Sequence, residues 1–386
     1  MFSRLRLYRP HIINKHIFRL LHNTPKANMH ILITNDDGPP SDQSSPYVHS
    51  LVSTLQSHGH TVSVVLPHTQ RSWIGKAHLV GHSIKPTYFR PLPLRSENGR
   101  LLNDGTTHTR PLPDSSVEEE WILVDSTPAS CVQIGLFHYF KSRGPIDLVV
   151  SGPNYGRNST AVFSLSSGTI GGAMEAAVCG YKSIALSYAF FDRNHDAAII
   201  SGASELSARL IQHLFDNWNP DTHLYSINVP LVENVGEKKI LYTNMLQNAW
   251  KSGSCFQPIE VPSESDESPS DIEAQIRKQE EKLGRKELLG GESGGDSGRE
   301  TPVGGHIRFT HKHFKWAPLF KDVYESVEQS EPGNDGWAVA QGYTSVTPLR
   351  ANFMHTPGDF TGEIALGNVG KGNAPAEVSA ENKRLS

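Results

Sequence analysis

At 386 residues the chain is long enough for one large core or two domains, and 37% hydrophobic with 20% charged residues suits a globular protein carrying polar segments. A formal net charge of -4 supplies no overall basic field, which argues against a nucleic-acid duplex as partner but leaves a small phosphorylated ligand open. Cys131, Cys179 and Cys255 show no CxxC spacing, which argues against a disulfide framework or a thiolate zinc site, and no apolar run is long enough to span a membrane.

Residues 1–28 form a basic, acid-free leader containing Arg4, Arg6, Arg9, Lys15, Arg19 and Lys26. Two readings fit it: an organellar transit peptide, or an unstructured leader ahead of Met29. A cytoplasmic or mitochondrial protein is therefore expected, not a secreted one. The folded part begins with His30–Thr34, a short, mostly apolar, β-favouring run read as a buried strand. Val48, Leu51, Val52 and Leu55 have the i, i+3, i+4, i+7 spacing of an amphipathic helix over 46–58, and Gly59 caps it. Thr61–Leu66 follows as a second strand, completing a βαβ unit.

The pattern recurs. Trp121–Val124 reads as a strand, and Thr127 with Pro128 opens a helix reaching about Phe140. Ile146–Val150 reads as a parallel strand buried on both faces. A helix over 170–179, strands at Ile184–Ser187 and Leu224–Val229, and a helix over 203–214 between them complete the series. Such alternation predicts an α/β fold: a doubly wound, Rossmann-like, mostly parallel sheet. Residues 88–117 read as an excursion from the sheet. Residues 262–305 are acidic, serine-rich and then glycine-rich, and are expected to be a disordered insert. Within it, Asp271–Leu289 has the composition of a solvated helix. Residues 306–355 form a second ordered segment with strands expected at Trp337–Val339 and Tyr343–Val346, and 356–386 is a polar tail.

Three polar motifs sit where such a sheet places its ligands, just past the carboxyl ends of strands. Asp36 and Asp37, in Thr34-Asn-Asp-Asp-Gly38, are adjacent carboxylates that repel unless a proton or cation lies between them; a hard cation such as Mg²⁺ or Mn²⁺ favours oxygen ligands of this kind. A surface Asp-Asp-Gly turn is the plain alternative. Ser151-Gly-Pro-Asn154 follows the buried strand ending at Val150, and the Asn154 amide oxygen suits a neutral metal ligand; a simple turn is again the alternative. Ser167, Gly168 and Thr169 precede an apolar helix, the position of a phosphate cradle or of an ordinary N-cap.

At these residues the chain resembles the SurE survival-protein nucleotidases. The resemblance runs through His30-Ile-Leu-Ile-Thr-Asn-Asp-Asp-Gly38, Asp125-Ser-Thr-Pro-Ala129, Ser151-Gly-Pro-Asn154, Ser167-Gly-Thr169 with Ala173-Met-Glu175, and Tyr343-Thr-Ser-Val-Thr-Pro-Leu349. It spans about residues 29–350 outside the two polar stretches, with long loops similar to fungal members. It implies hydrolysis of nucleoside 5′- or 3′-monophosphates, or wider acid-phosphatase activity, with Asp36 and Asp37 catalytic. It implies a divalent metal on Asp36, Asp37, Ser72 and Asn154, and phosphate contacts from Asn35, Ser167, Gly168 and Thr169. It also implies a homo-oligomer exchanging a C-terminal β-hairpin. Trp73 stands where many members have glycine, Ser130 replaces a frequent acidic residue, and the 39–46 loop is unusually polar. Attack by water and attack through an aspartyl-phosphate both remain open. A haloacid-dehalogenase-like site needs Asp-x-Asp spacing, which Asp36-Asp37 lacks. A non-catalytic nucleotide-binding module of the same fold is the other class.

Overall fold

The computed structural model describes residues 28–81, 83–113, 115–191, 195–259, the single positions 271, 274, 277 and 278, and residues 313–353. The leader, most of the expected disordered insert and the tail past 353 lie outside the described residues.

Strand β1 (His30–Thr34) is the centre from which the sheet was wound. It pairs in parallel with β2 (Thr61–Pro67) on one side and with β8 (Leu148–Tyr155) on the other. Beyond β2 lies β7 (Trp121–Val124), and beyond β8 lie β9 (Ser183–Ala189) and β10 (Leu224–Pro230), all parallel. The chain thus turns from one half of the sheet to the other between β1 and β8. That gap is the topological switch point, where open α/β sheets bind ligands.

Alternation along each strand explains the two layers. Ile31, Ile33, Val64, Leu66, Leu148 and Val150 face a core filled by Val48, Leu51 and Leu55 of α1 (Val48–Ser57) and Leu206, Leu210 and Ile211 of α5 (Ala197–Asp216). Leu32, Val65, Val124 and Val149 face the opposite core, against Cys131, Val132 and Leu136 of α2 (Pro128–His138). Each such aliphatic side chain contributes about 1.5–3 kcal/mol when buried, so a one-residue slip, which would move every one to the other face, is strongly disfavoured. The expected doubly wound α/β sheet is therefore present. Asp147 next to this apolar strand accepts the His30 N–H at 2.8 Å, fastening the start of β8 to β1.

Three expectations need correction. Residues 88–117 are not a simple excursion: β3 (Thr87–Pro91) pairs antiparallel with β7, and β6 (Gly105–His108) pairs with β3, so they extend the sheet to ten strands. Only β4 (Arg95–Glu97) and β5 (Arg100–Leu102) form a separate hairpin. Next, β8 does not end at Val150 but runs through Ser151–Asn154 with a register irregularity there. Finally, Trp337–Val339 is helical, inside α7 (Asp335–Ala340), not a strand. Asn334 caps that helix by accepting the Trp337 N–H at 2.8 Å, a local bond that outweighs the strand preference of Trp and Val.

The C-terminal segment packs on the α/β body. Strand β14 (Thr344–Leu349) inserts antiparallel beside β10 and carries β11 (Ile240–Tyr242) on its outer edge. A hairpin is present, but not at the 337–346 strands where it is expected: it pairs β12 (Phe256–Ile259) with β13 (His313–Trp316), Phe256 opposite Trp316. Helix α6 (Lys321–Glu328) follows β13. Phe320, Val323 and Tyr324 pack with Val162 and Phe163 of α3 (Ala161–Ser166), a short helix the sequence reading did not anticipate, and with Trp73, Trp250 and Trp316. No helix among the described residues is long and apolar enough to cross a membrane.

Candidate active site

Past β1 the chain makes a tight turn closed by Asn35. Its side-chain oxygen accepts the Gly38 N–H at 2.9 Å, while its amide nitrogen donates to Gly38 O at 2.9 Å and to Ser45 Oγ at 3.1 Å. Gly38 has a φ of 88°, which a residue without Cβ adopts freely. Asn35, expected to touch phosphate, is instead consumed by this turn and is fully buried. The turn leaves the Asp36 and Asp37 side chains off the end of the strand, both buried.

Asp36 faces the N-terminus of α4 (Gly168–Val178). Thr169 Oγ1 donates to Asp36 Oδ1 at 2.6 Å. Ser167 caps the helix by accepting the Ile170 N–H at 3.1 Å. The positive end of α4 is thus aimed at Asp36, where a negative charge is favoured. Gly168 is required by contact: a Cβ there would lie 2.8 Å from Asp36 Cβ and 2.9 Å from Ile74 Cγ2. Burial pushes the Asp36 carboxyl above the ordinary carboxylate range, with the Thr169 bonds opposing the rise.

The same Thr169 hydroxyl lies 3.3 Å from Asn154 Oδ1. Asn154 donates its amide nitrogen to Gly156 O at 2.9 Å, leaving its oxygen to face the Thr169 hydroxyl. On the other side, Gln70 links Asp37 to Ser72, donating to Asp37 Oδ1 at 3.4 Å and to Ser72 Oγ at 3.0 Å. Asp37 Oδ2 accepts the Tyr155 N–H at 2.6 Å. Its Oδ1 also takes a bond from Arg277 Nη2 at 3.1 Å. Arg277 belongs to the stretch read as a solvated helix, yet it is buried; for that residue the expectation is corrected.

Asp36, Ser72, Asn154 and Ser167 line one small cavity of about 50 Å³, walled also by Trp73, Arg157 and Phe163. That is room for an ion with a water or two. Of the expected ligands Asp36, Ser72 and Asn154 line this cavity, and Asp37 lies behind it, tied to Ser72 through Gln70; carboxylate, hydroxyl and amide oxygens are hard donors, which fits Mg²⁺ or Mn²⁺. The described residues contain no group of three or more His, Cys, Asp or Glu able to hold a metal. A cation here would rely on this mixed set. Gly156 and Arg157 also border a second, larger cavity of about 1010 Å³, lined by Phe190, Phe191, Lys238, Tyr324, Trp337 and Tyr343.

The structure brings Asp36, Asp37, Ser72, Asn154, Ser167, Gly168 and Thr169 together, and leaves Asn35 in the turn. Sequence reading missed Gln70, Arg157 and Arg277. Arg157 had one available signal, as a cation three residues past Asn154. Gln70, a neutral residue in a polar loop, had none.

Comparison with known proteins bears on this geometry. Residues 31–252 match the family model described as survival protein SurE. The 5′-nucleotidase SurE of Ruegeria pomeroyi is 29% identical over 343 residues, covering 88% of this chain and 97% of that protein. The probable tubulin–tyrosine ligase PBY1 of Saccharomyces cerevisiae is 42% identical over 246 residues, which are 58% of this chain and 31% of that relative. This chain therefore spans about a third of the yeast protein's length. The crystal structure of the SurE protein from Aquifex aeolicus superposes with a TM-score of 0.52 at 21% identity, covering 84% of this chain and 94% of that one, a likeness of fold. With more than half of its length matched by the family model, the chain belongs to the SurE survival-protein family.

Proposed function

We propose that this chain is a phosphomonoesterase that hydrolyses nucleoside 5′- or 3′-monophosphates, and related phosphate monoesters, with Mg²⁺ or Mn²⁺ held by Asp36, Asp37, Ser72 and Asn154. The observation that supports it best is the pair of bridges: Thr169 ties Asp36 to Asn154, and Gln70 ties Asp37 to Ser72. Three of the four donors, from three separate strand ends, line one cavity at the switch point, and Gln70 ties the fourth, Asp37, to Ser72. An Asp-Asp-Gly surface turn would need none of them. The 5′-nucleotidase named among the relatives points the same way.

When bound, the cation would neutralise phosphoryl charge and make a water more acidic. The chain's own groups do the remainder. Thr169 and the end of α4 align Asp36 and oppose, without cancelling, the rise that burial imposes on its carboxyl. In this reading Arg157 pairs with the phosphoryl oxygens, since it borders both cavities. The larger cavity takes the nucleoside, with the Phe190, Trp337 and Tyr343 rings offering stacking faces.

The test is phosphate release from a panel of nucleoside monophosphates and simple phosphate esters, after chelation and after return of Mg²⁺ or Mn²⁺. Metal-restored release from nucleotides is the expected result. Nucleotide binding without turnover under every metal would replace the enzyme with a binding module. Self-association through the C-terminal segment belongs to the same proposal, and a monomer by light scattering at micromolar concentration would remove it.

A further inference from the structure

Arg277 lies beyond the family match, which ends at residue 252. Its side chain is only 3% exposed, and that of Asp37 is 0% exposed. The guanidinium carbon lies 3.9 Å from the centroid of the Tyr155 ring. Tyr155 also supplies the backbone N–H on Asp37 Oδ2, so one residue positions both members of the ion pair. A second contact beside it, Gln43 Nε2 to Asp271 Oδ1 at 3.4 Å, ties another described residue of the same stretch to the loop after Asp37.

A guanidinium cannot lose its proton in a protein, and burying one is costly unless a carboxylate balances it. Asp37 is that carboxylate. The same carboxylate is one of only two negative groups in the candidate donor set. A doubly charged cation on Asp37 would therefore sit within a few ångström of a fixed positive charge in a water-poor site, where repulsion is screened least. Both charges call on this one carboxylate.

We infer that Arg277 and the divalent cation compete for Asp37: the arginine is the resident counter-charge of the metal-free chain, and metal binds at the expense of the ion pair. The inference rests on the metal reading of the preceding subsection. It gives the sequence outside the family match a definite part in the chemistry, by making metal affinity depend on one of its side chains.

Calorimetric titration of Mn²⁺ into the whole 386-residue chain tests this without turnover, comparing wild type with Arg277→Gln and Arg277→Lys. The glutamine variant is expected to bind Mn²⁺ roughly 10- to 100-fold more tightly, the range of ordinary coupling between two ligands. The lysine variant, which keeps the charge, should stay near wild type. Equal or weaker Mn²⁺ affinity in Arg277→Gln overturns the competition. Binding by none of the three proteins sinks the metal reading itself and the inference with it. Should the glutamine variant fail to fold, wild type alone suffices. Arg277 modification by phenylglyoxal, followed by peptide mass spectrometry, should be slow without Mn²⁺ and faster with it, and an unchanged rate refutes the proposal.

Discussion

The carboxyl edge of the parallel strands and the aromatic collar beside it meet at two neighbouring residues, Ser72 and Trp73. On the sheet side, position is set by backbone: Asp36, Asp37 and Asn154 leave strands whose registers are locked from both faces, and α4 approaches Asp36 so closely that position 168 admits no side chain. On the collar side, position is set by rings. Trp73 packs on Phe163, Trp316 and Phe320 at centroid distances of 5.8, 5.5 and 5.9 Å. Two of those three rings come from the C-terminal segment. The contrast separates two tasks: the strand ends carry the charges that chemistry needs, and the collar shapes what lies next to them through contacts that tolerate change.

The largest expected effect breaks the sheet side. Asp36→Asn keeps shape but removes charge, and should lower phosphatase turnover roughly a hundredfold or more, about 3 kcal/mol or more of barrier. Because burial already disfavours its charge, the variant should unfold in urea at or above the wild-type midpoint without metal. Full activity in Asp36→Asn would leave only the turn.

On the collar side the comparison sharpens at Trp73, whose φ of 62° lies in the left-handed region. A non-glycine residue there carries about 1–2 kcal/mol of strain, offset by its ring contacts. Trp73→Gly should therefore cost only about 1–2 kcal/mol, because losing the rings is partly repaid by relief of the backbone. Trp73→Ala loses the rings and keeps the strain, so it should be the less stable of the two by about 1 kcal/mol. Equal unfolding free energies would show that the backbone at 73 is not held left-handed in solution.

The smallest effect concerns the tie between the two regions. Glu175 of α4 holds Lys76, four residues past Ser72, at 2.5 Å, and accepts a bond from Gln133 at 2.6 Å. Burial alone would raise its carboxyl, but these partners bring it below the ordinary value of 4.5. A depressed folded value gives stability that is present above the unfolded value and lost as pH falls through the folded one. Glu175→Gln should cost about 1 kcal/mol at pH 7. Its gap from wild type in urea unfolding should shrink as pH drops below 4.5. A gap independent of pH would mean the ion pair does not form.

Much of the sheet side is legible from sequence because its signals are local. Ile31–Ile33 is an uninterrupted apolar run inside the β-favouring His30–Thr34, and Asp36-Asp37-Gly38 follows after Asn35, so strand, turn and charge can be read in nine letters. Thr127 with Pro128 likewise announces α2, and Thr127 does accept the Ser130 N–H. The collar is not legible that way. Trp73, Phe163 and Phe320 are far apart in the chain and share no period, so only the fold brings them together. Trp337–Val339 misled because Trp and Val favour strands, while the deciding group, Asn334, is a polar residue outside the run. Arg277 was hidden for a related reason: a charged residue in a polar stretch reads as solvated unless its distant partner is known.

Strand β14 also has a bearing on the order in which the molecule can be assembled. In the sheet it stands between β10 and β11, although it is made after both, more than a hundred residues beyond β10. Until Thr344–Leu349 has emerged from the ribosome, the outer edge of β10 has no strand to bond and β11 has no place in the sheet. An unpaired, fully buried type of strand such as β10 is a template for wrong pairing during that interval. The last strand among the described residues is therefore the closing one, and a chain cut short in the preceding polar stretch would have its candidate site residues made and its sheet still open.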